Sequence, residues 1–147
     1  MKFLIAGLGS IGRRHLRNLK ALDQTDIILY RTHHATLPDT DLCDHPTFTD
    51  LNEALAQKPD GVIVANPTSM HLSVAQAAAE AGAALLIEKP VSDSLIGIRD
   101  LQNAVEKAGK PVLVGFHFRY HPVLREIKQI IDTNQLGKAL RAHVHWG

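Results

Sequence analysis

Short apolar runs alternate along this chain with longer segments in which apolar residues recur every three or four positions. The runs at 2–6, 27–30, 62–65, 84–88 and 112–116 are nearly continuous rather than alternating, the pattern of strands buried on both faces of a parallel sheet. Between them the spacing predicts helices over 11–22, 51–57, 70–81 and a stretch ending near 108. Thr49 or Asp50 stands where the second helix needs a cap, and Glu53, three residues after Asp50, completes a capping box. Gly82 and Gly109 stand where the third and fourth helices should stop. Residues 31–48 hold two prolines, many polar side chains and no period, and read as a loop with room for one short strand. Strands that alternate with helices imply right-handed crossovers and an α/β domain: a doubly wound parallel sheet with helices on both faces.

The first strand runs into Gly7-Leu8-Gly9-Ser10-Ile11-Gly12, and the first helix follows. A GxGxxG run alone is common, but between a strand and a helix it has the context that a dinucleotide cradle requires. Gly7 permits a tight turn, Gly9 lets the backbone approach a pyrophosphate, and Gly12 allows the helix to lie close on the strand. Amide groups from Ser10 and Ile11 onward would point at the phosphates. The alternative is a glycine-rich turn that holds no ligand.

Such domains carry a ribose-binding acid about 20 residues past the glycines. Here the second strand ends in Tyr30-Arg31-Thr32-His33, with no carboxylate. A carboxylate would repel a ribose 2′-phosphate, whereas Arg31 with the Thr32 hydroxyl could bind one, which favours NADP over NAD. A solvated Arg31, or one stacked on the adenine, is the other reading.

Composition narrows the class. With 147 residues, 45% of them hydrophobic, the chain can bury one good core. A formal net charge of +1 gives no footprint for nucleic acid or an anionic membrane, and the nine histidines change that only in mild acid. Cys43 is the single cysteine, so neither an intrachain disulfide nor a cysteine-based zinc site is possible. No run approaches the ~20 apolar residues of a membrane span, and the run at 3–8 is too short and glycine-rich for a signal sequence. A soluble, cytoplasmic protein is expected.

Three later stretches follow predicted strands: Asn66-Pro67-Thr68-Ser69-Met70-His71, Glu88-Lys89-Pro90, and His117-Phe118-Arg119-Tyr120-His121-Pro122. All fall at the carboxyl ends of parallel strands, the edge where an open α/β sheet binds ligands. With the glycine loop, and in this order, they resemble the glucose-fructose oxidoreductase, inositol dehydrogenase and rhizopine catabolism (Gfo/Idh/MocA) superfamily over essentially the whole chain. The resemblance implies a Rossmann-type domain and hydride transfer between a nicotinamide nucleotide and a secondary alcohol or ketone of a sugar, polyol or nucleotide sugar. It implies cofactor contacts for Asn66, Pro67, Thr68 and His71. It places Lys89 near the reactive carbon, where an ammonium binds the substrate oxygen, with Pro90 fixing the chain direction and Glu88 pairing with the lysine or accepting from the cofactor. Relatives often have Asn where His117 stands, while Arg119 matches better and could meet the nicotinamide or a substrate oxygen. A free-standing nucleotide-binding module without turnover is the competing class.

After His121-Pro122, Val123, Leu124, Ile127, Ile130 and Ile131 form a stripe at helical spacing that reads as core. Leu140, Ala142, Val144 and Trp146 then alternate with Arg141, His143 and His145, the period of a half-buried strand. The resemblance sets the nucleotide domain at 1–120 and makes 121–147 the connecting helix and first strand of a truncated α+β domain for substrate and homo-oligomer contacts. His143 and His145 lack the third ligand that catalytic zinc needs, so no metal is expected.

Overall fold

Leu4 and Ile5 are adjacent and both fully buried, yet they belong to different cores. Successive strand side chains point to opposite faces, so an apolar run of this kind needs cover on both sides. The computed structural model describes residues 1–32, 42 and 44–145, and provides that cover. Strands β1 (Phe3–Ala6), β2 (Ile27–Tyr30), β3 (Thr47–Phe48), β4 (Gly61–Val64), β5 (Ala84–Ile87) and β6 (Val112–Val114) form one all-parallel sheet in the order β3-β2-β1-β4-β5-β6. Helix α1 (Ser10–Ala21) buries Leu16 and Leu19 on the face that holds Ile5, Ile27, Leu29 and Ile63. Helices α2 (Leu51–Ala56), α3 (Thr68–Glu80) and α4 (Ile98–Ala108) pack on the other face, against Leu4, Ile28, Val62, Leu85 and Ile87. Burying each Leu, Ile or Val stabilises the sheet by roughly 1.5–3 kcal/mol relative to exposure.

The expected doubly wound sheet is present. Asp50 caps α2 by accepting from the Glu53 amide at 2.9 Å. The loop expected over 31–48 contains β3 at its far end, a two-residue strand held to β2 through Leu29 and Tyr30. Helix α3 starts at Thr68, two residues earlier than its apolar period suggests, because Pro67 with φ −56° already sets the entry. Strand order reverses direction between β1 and β4, so the loops leaving these two strands open a crevice at the carboxyl edge.

The chain divides into two compact units, Met1–Gly115 and Phe116–Gly147. The second has a 3-10 turn, His117–Tyr120, and helix α5 (Pro122–Asp132), which begins on a proline preset for the first helical position. Two expectations are corrected there. The stripe on α5 is not core: Val123, Leu124, Ile127 and Ile131 are exposed, because the described residues of this unit supply no second layer. Residues 140–145 form no strand, and Leu140 and Val144 are exposed; a strand needs a hydrogen-bonded neighbour, and this unit has none among its described residues. Trp146, like Cys43 and His33, lies outside the described residues. No helix among the described residues is long and apolar enough to cross a membrane.

Candidate nucleotide-binding cleft

The cleft begins where β1 ends. Gly7 has φ +97°, a left-handed conformation that a side chain resists, and its amide donates to the Tyr30 carbonyl at 2.9 Å. A Cβ there would strike the backbone amide of Asn66 and lie 2.6 Å from the carbonyl carbon of Ala65. At Gly12 a Cβ would run into the Gly7 carbonyl oxygen, so α1 lies against the turn only because residue 12 has no side chain. Gly9 differs, since a Cβ there would meet nothing within 4 Å. Nothing among the described residues requires glycine at that point, and the open space above it is where a ligand would lie against the backbone.

Gly9 is also the cap residue of α1, and no side chain among the described residues caps this helix. The first helical bond is Arg13 N–H to Gly9 O at 3.0 Å, so the amides of Ser10, Ile11 and Gly12 precede the ladder and have no acceptor within the helix. The first turn carries no acidic residue. Aligned free amides at the positive end of a helix suit an anion.

A cleft of about 540 Å³ opens over these groups, within the usual size of small-molecule sites. Its floor is 7–11 with Arg13, one wall is Tyr30, Arg31 and Thr32, and the other is Ala65, Asn66, Pro67 and Met70. Of the residues singled out in the sequence, Gly7, Gly9, Ser10, Ile11, Arg31, Thr32, Asn66 and Pro67 therefore converge on one hollow. Both polar atoms of the Asn66 amide are buried without a hydrogen-bond partner among the described residues. Leaving such a group unpaired costs about 1–3 kcal/mol, so its position in the cleft wall fits a polar ligand.

The remaining candidates stand elsewhere. Thr68 opens α3 and is half-buried. His71 is 2% exposed and turns its ring inward, with Nδ1 2.8 Å from the Pro90 carbonyl and Nε2 2.8 Å from the Asn66 carbonyl. Glu88 accepts from His15 Nε2 at 2.8 Å, and among the described residues no ion pair joins its carboxylate to Lys89. Lys89 is exposed, and its ammonium has no hydrogen bond or ion pair among the described residues. The Lys89-Pro90 peptide is cis. His117 and Arg119 belong to the second unit; His117 packs on the Phe118 ring at 4.2 Å. No cluster of three or more His, Cys, Asp or Glu residues among the described residues could hold a metal ion.

Sequence reasoning missed Arg13, His15, Tyr30 and Met70. Arg13 is 7% exposed and donates from Nε to the Leu8 carbonyl at 3.0 Å, bracing the glycine turn from below. His15 carried a legible signal: it falls on the inward stripe of α1 with Gly12, Leu16 and Leu19, where a polar residue needs a partner.

A family model described as "Oxidoreductase family, NAD-binding Rossmann fold" (GFO_IDH_MocA) matches residues 1–116. The uncharacterized oxidoreductase YrbE of Bacillus subtilis is 30% identical over 137 residues, which are 90% of this chain and 40% of YrbE. Myo-inositol 2-dehydrogenase of Thermotoga maritima is 29% identical over 145 residues, 94% of this chain and 42% of that enzyme. Among solved structures, the WlbA dehydrogenase of Bordetella pertussis in complex with NADH and UDP-GlcNAcA superposes with a TM-score of 0.82. It is 24% identical, over 92% of this chain and 43% of WlbA, a likeness of fold. The chain spans less than half the length of these relatives.

Proposed function

Because the chain belongs to the GFO/IDH/MocA oxidoreductase family, with its NAD-binding Rossmann fold, we propose that the cleft holds a nicotinamide dinucleotide for hydride transfer to or from a secondary alcohol carbon of a sugar, polyol or nucleotide sugar. The observation that carries this reading is the open backbone at Gly9 beneath the free amides of α1. These groups would bind the diphosphate, and the unpaired amide of Asn66 would hydrogen-bond the cofactor farther along the wall. When bound, the nicotinamide supplies the redox chemistry. The chain supplies orientation, and Lys89 supplies a cation at the substrate oxygen, where charge develops as the C–H bond breaks.

NADP is the proposed nucleotide in preference to NAD. The wall at Tyr30-Arg31-Thr32 contains no carboxylate, and Arg31 and Thr32 both line the cleft. Sugar or polyol substrates are supported by the inositol and nucleotide-sugar names of the relatives. In this reading residues 1–120 bind nucleotide, with His117 and Arg119 reserved for its nicotinamide end. Residues 121–147 connect to the substrate and homo-oligomer contacts, and the sole cysteine suits a cytoplasmic setting.

Titration calorimetry of the chain with NADPH and NADH tests the reading. Saturable binding of either is expected; no heat with both nucleotides, from a folded sample, refutes it.

A further inference from the structure

Lys89 is a lone exposed lysine in a connecting loop, and none of the described residues holds its side chain. Its two neighbours are held. On the amino-terminal side, the Glu88 amide donates to the Val64 carbonyl at 2.9 Å, and the Glu88 carboxylate accepts from His15 of α1 at 2.8 Å. The same carboxylate lies against Gly115, where a Cβ would come within 3.1 Å of it. On the carboxyl-terminal side, the Pro90 carbonyl faces His71 Nδ1 at 2.8 Å. The opposite edge of that ring faces the carbonyl of Asn66 in the cleft wall.

We infer that His15 and His71 are positioning residues that fix the backbone of Lys89 from both sides. His15 rises from the helix whose first amides form the floor of the cleft, and His71 bridges from Lys89's neighbour to the cleft wall. Lys89 is thereby registered against both. The inference rests on the reading above for its purpose, a lysine aimed at the redox site, but the brace itself rests on these contacts alone. Imidazole suits the task because its two nitrogens lie on opposite edges of a rigid ring, so a short side chain spans two carbonyls with little rotamer freedom to lose. Both partners of His71 are acceptors only. A neutral ring donates to one of them at a time, and the doubly protonated ring donates to both. Two hydrogen-bonded neighbours let the lysine stay unpaired for a ligand without leaving its main chain free.

The test uses ¹⁵N relaxation on the 147-residue chain. Asn places its amide nitrogen near the Nδ1 position of histidine and Gln near the Nε2 position. His71→Asn therefore keeps a donor for Pro90, and His71→Gln keeps one for Asn66. In the wild type the Lys89 amide should have an order parameter of about 0.85, like the strands; in His15→Ala and His71→Gln it should fall below about 0.6, with β1 and β4 unchanged. His71→Asn should restore it. A histidine that merely stabilised the fold would lower the melting temperature without loosening Lys89 selectively. Unchanged order at Lys89 in both His15→Ala and His71→Gln overturns the brace. Should His71→Gln fail to fold, His15→Ala, at a half-buried site, decides alone. NADPH titration of the same wild-type sample separates the two ideas, since absent binding there refutes the nucleotide reading whatever Lys89 does.

Discussion

Gly7 and Asn66 touch backbone to backbone, so closely that residue 7 has no room for a side chain. One strand end thereby locks to another at the point where the sheet changes direction. Gly7→Ala combines this clash with a strained positive φ and should destabilise the chain by about 2–4 kcal/mol. Gly9→Ala meets nothing among the described residues and should change stability by less than about 1 kcal/mol, yet weaken NADPH binding at least about tenfold. Denaturant melts paired with nucleotide titration separate the two effects; equal stability losses at both positions would remove the argument for a ligand above Gly9.

Asn66→Ala removes a side-chain amide that makes no hydrogen bond among the described residues. Unfolding free energy should stay within about 1 kcal/mol of wild type, while nucleotide affinity falls about tenfold, the worth of one buried hydrogen bond. A variant that loses stability but binds normally would show that the amide serves the fold.

Arg31→Ala tests the choice of nucleotide. The wild type should bind NADPH more tightly than NADH. A charge-assisted contact to the 2′-phosphate is worth about 1.5–3 kcal/mol, so the variant should lose about ten- to a hundredfold in NADPH affinity and little in NADH affinity. Wild-type preference for NADH, measured by calorimetry, defeats this assignment.

In a full-length version that carries the substrate domain, Lys89→Ala should lower turnover of a sugar or polyol substrate by about a hundredfold or more while the nucleotide dissociation constant stays within about threefold. The split between kcat and nucleotide affinity is the diagnostic quantity. Intact turnover would exclude a chemical role.

The buried strands were legible because two-faced burial demands unbroken apolar runs, as Leu4-Ile5-Ala6 and Val62-Ile63-Val64 show. The glycine loop was legible because only glycine fits the Gly7 turn and the Gly12 contact, so local geometry writes itself into residue type. The pairing of His15 with Glu88 was not, because its partners lie 73 positions apart and meet only after the sheet is assembled. The two carbonyls that the His71 ring spans are equally illegible, because an interaction with main chain leaves no mark on the identity of its partners. The stripe on α5 shows the complementary limit: periodicity reveals an apolar face but not whether anything covers it.

β1 is paired with β2 on one side and with β4 on the other, Phe3 lying opposite both Ile27 and Gly61. A nascent chain that has not yet delivered residue 61 therefore leaves β1 with a single neighbour and Gly7 without the backbone it rests on. The hollow over the glycines must then mature late, after a long loop has closed, which makes folding slow relative to chains of local contacts. Nucleotide that recognises only the finished hollow would pull that equilibrium toward completion, so cofactor supply during synthesis should raise the yield of native protein.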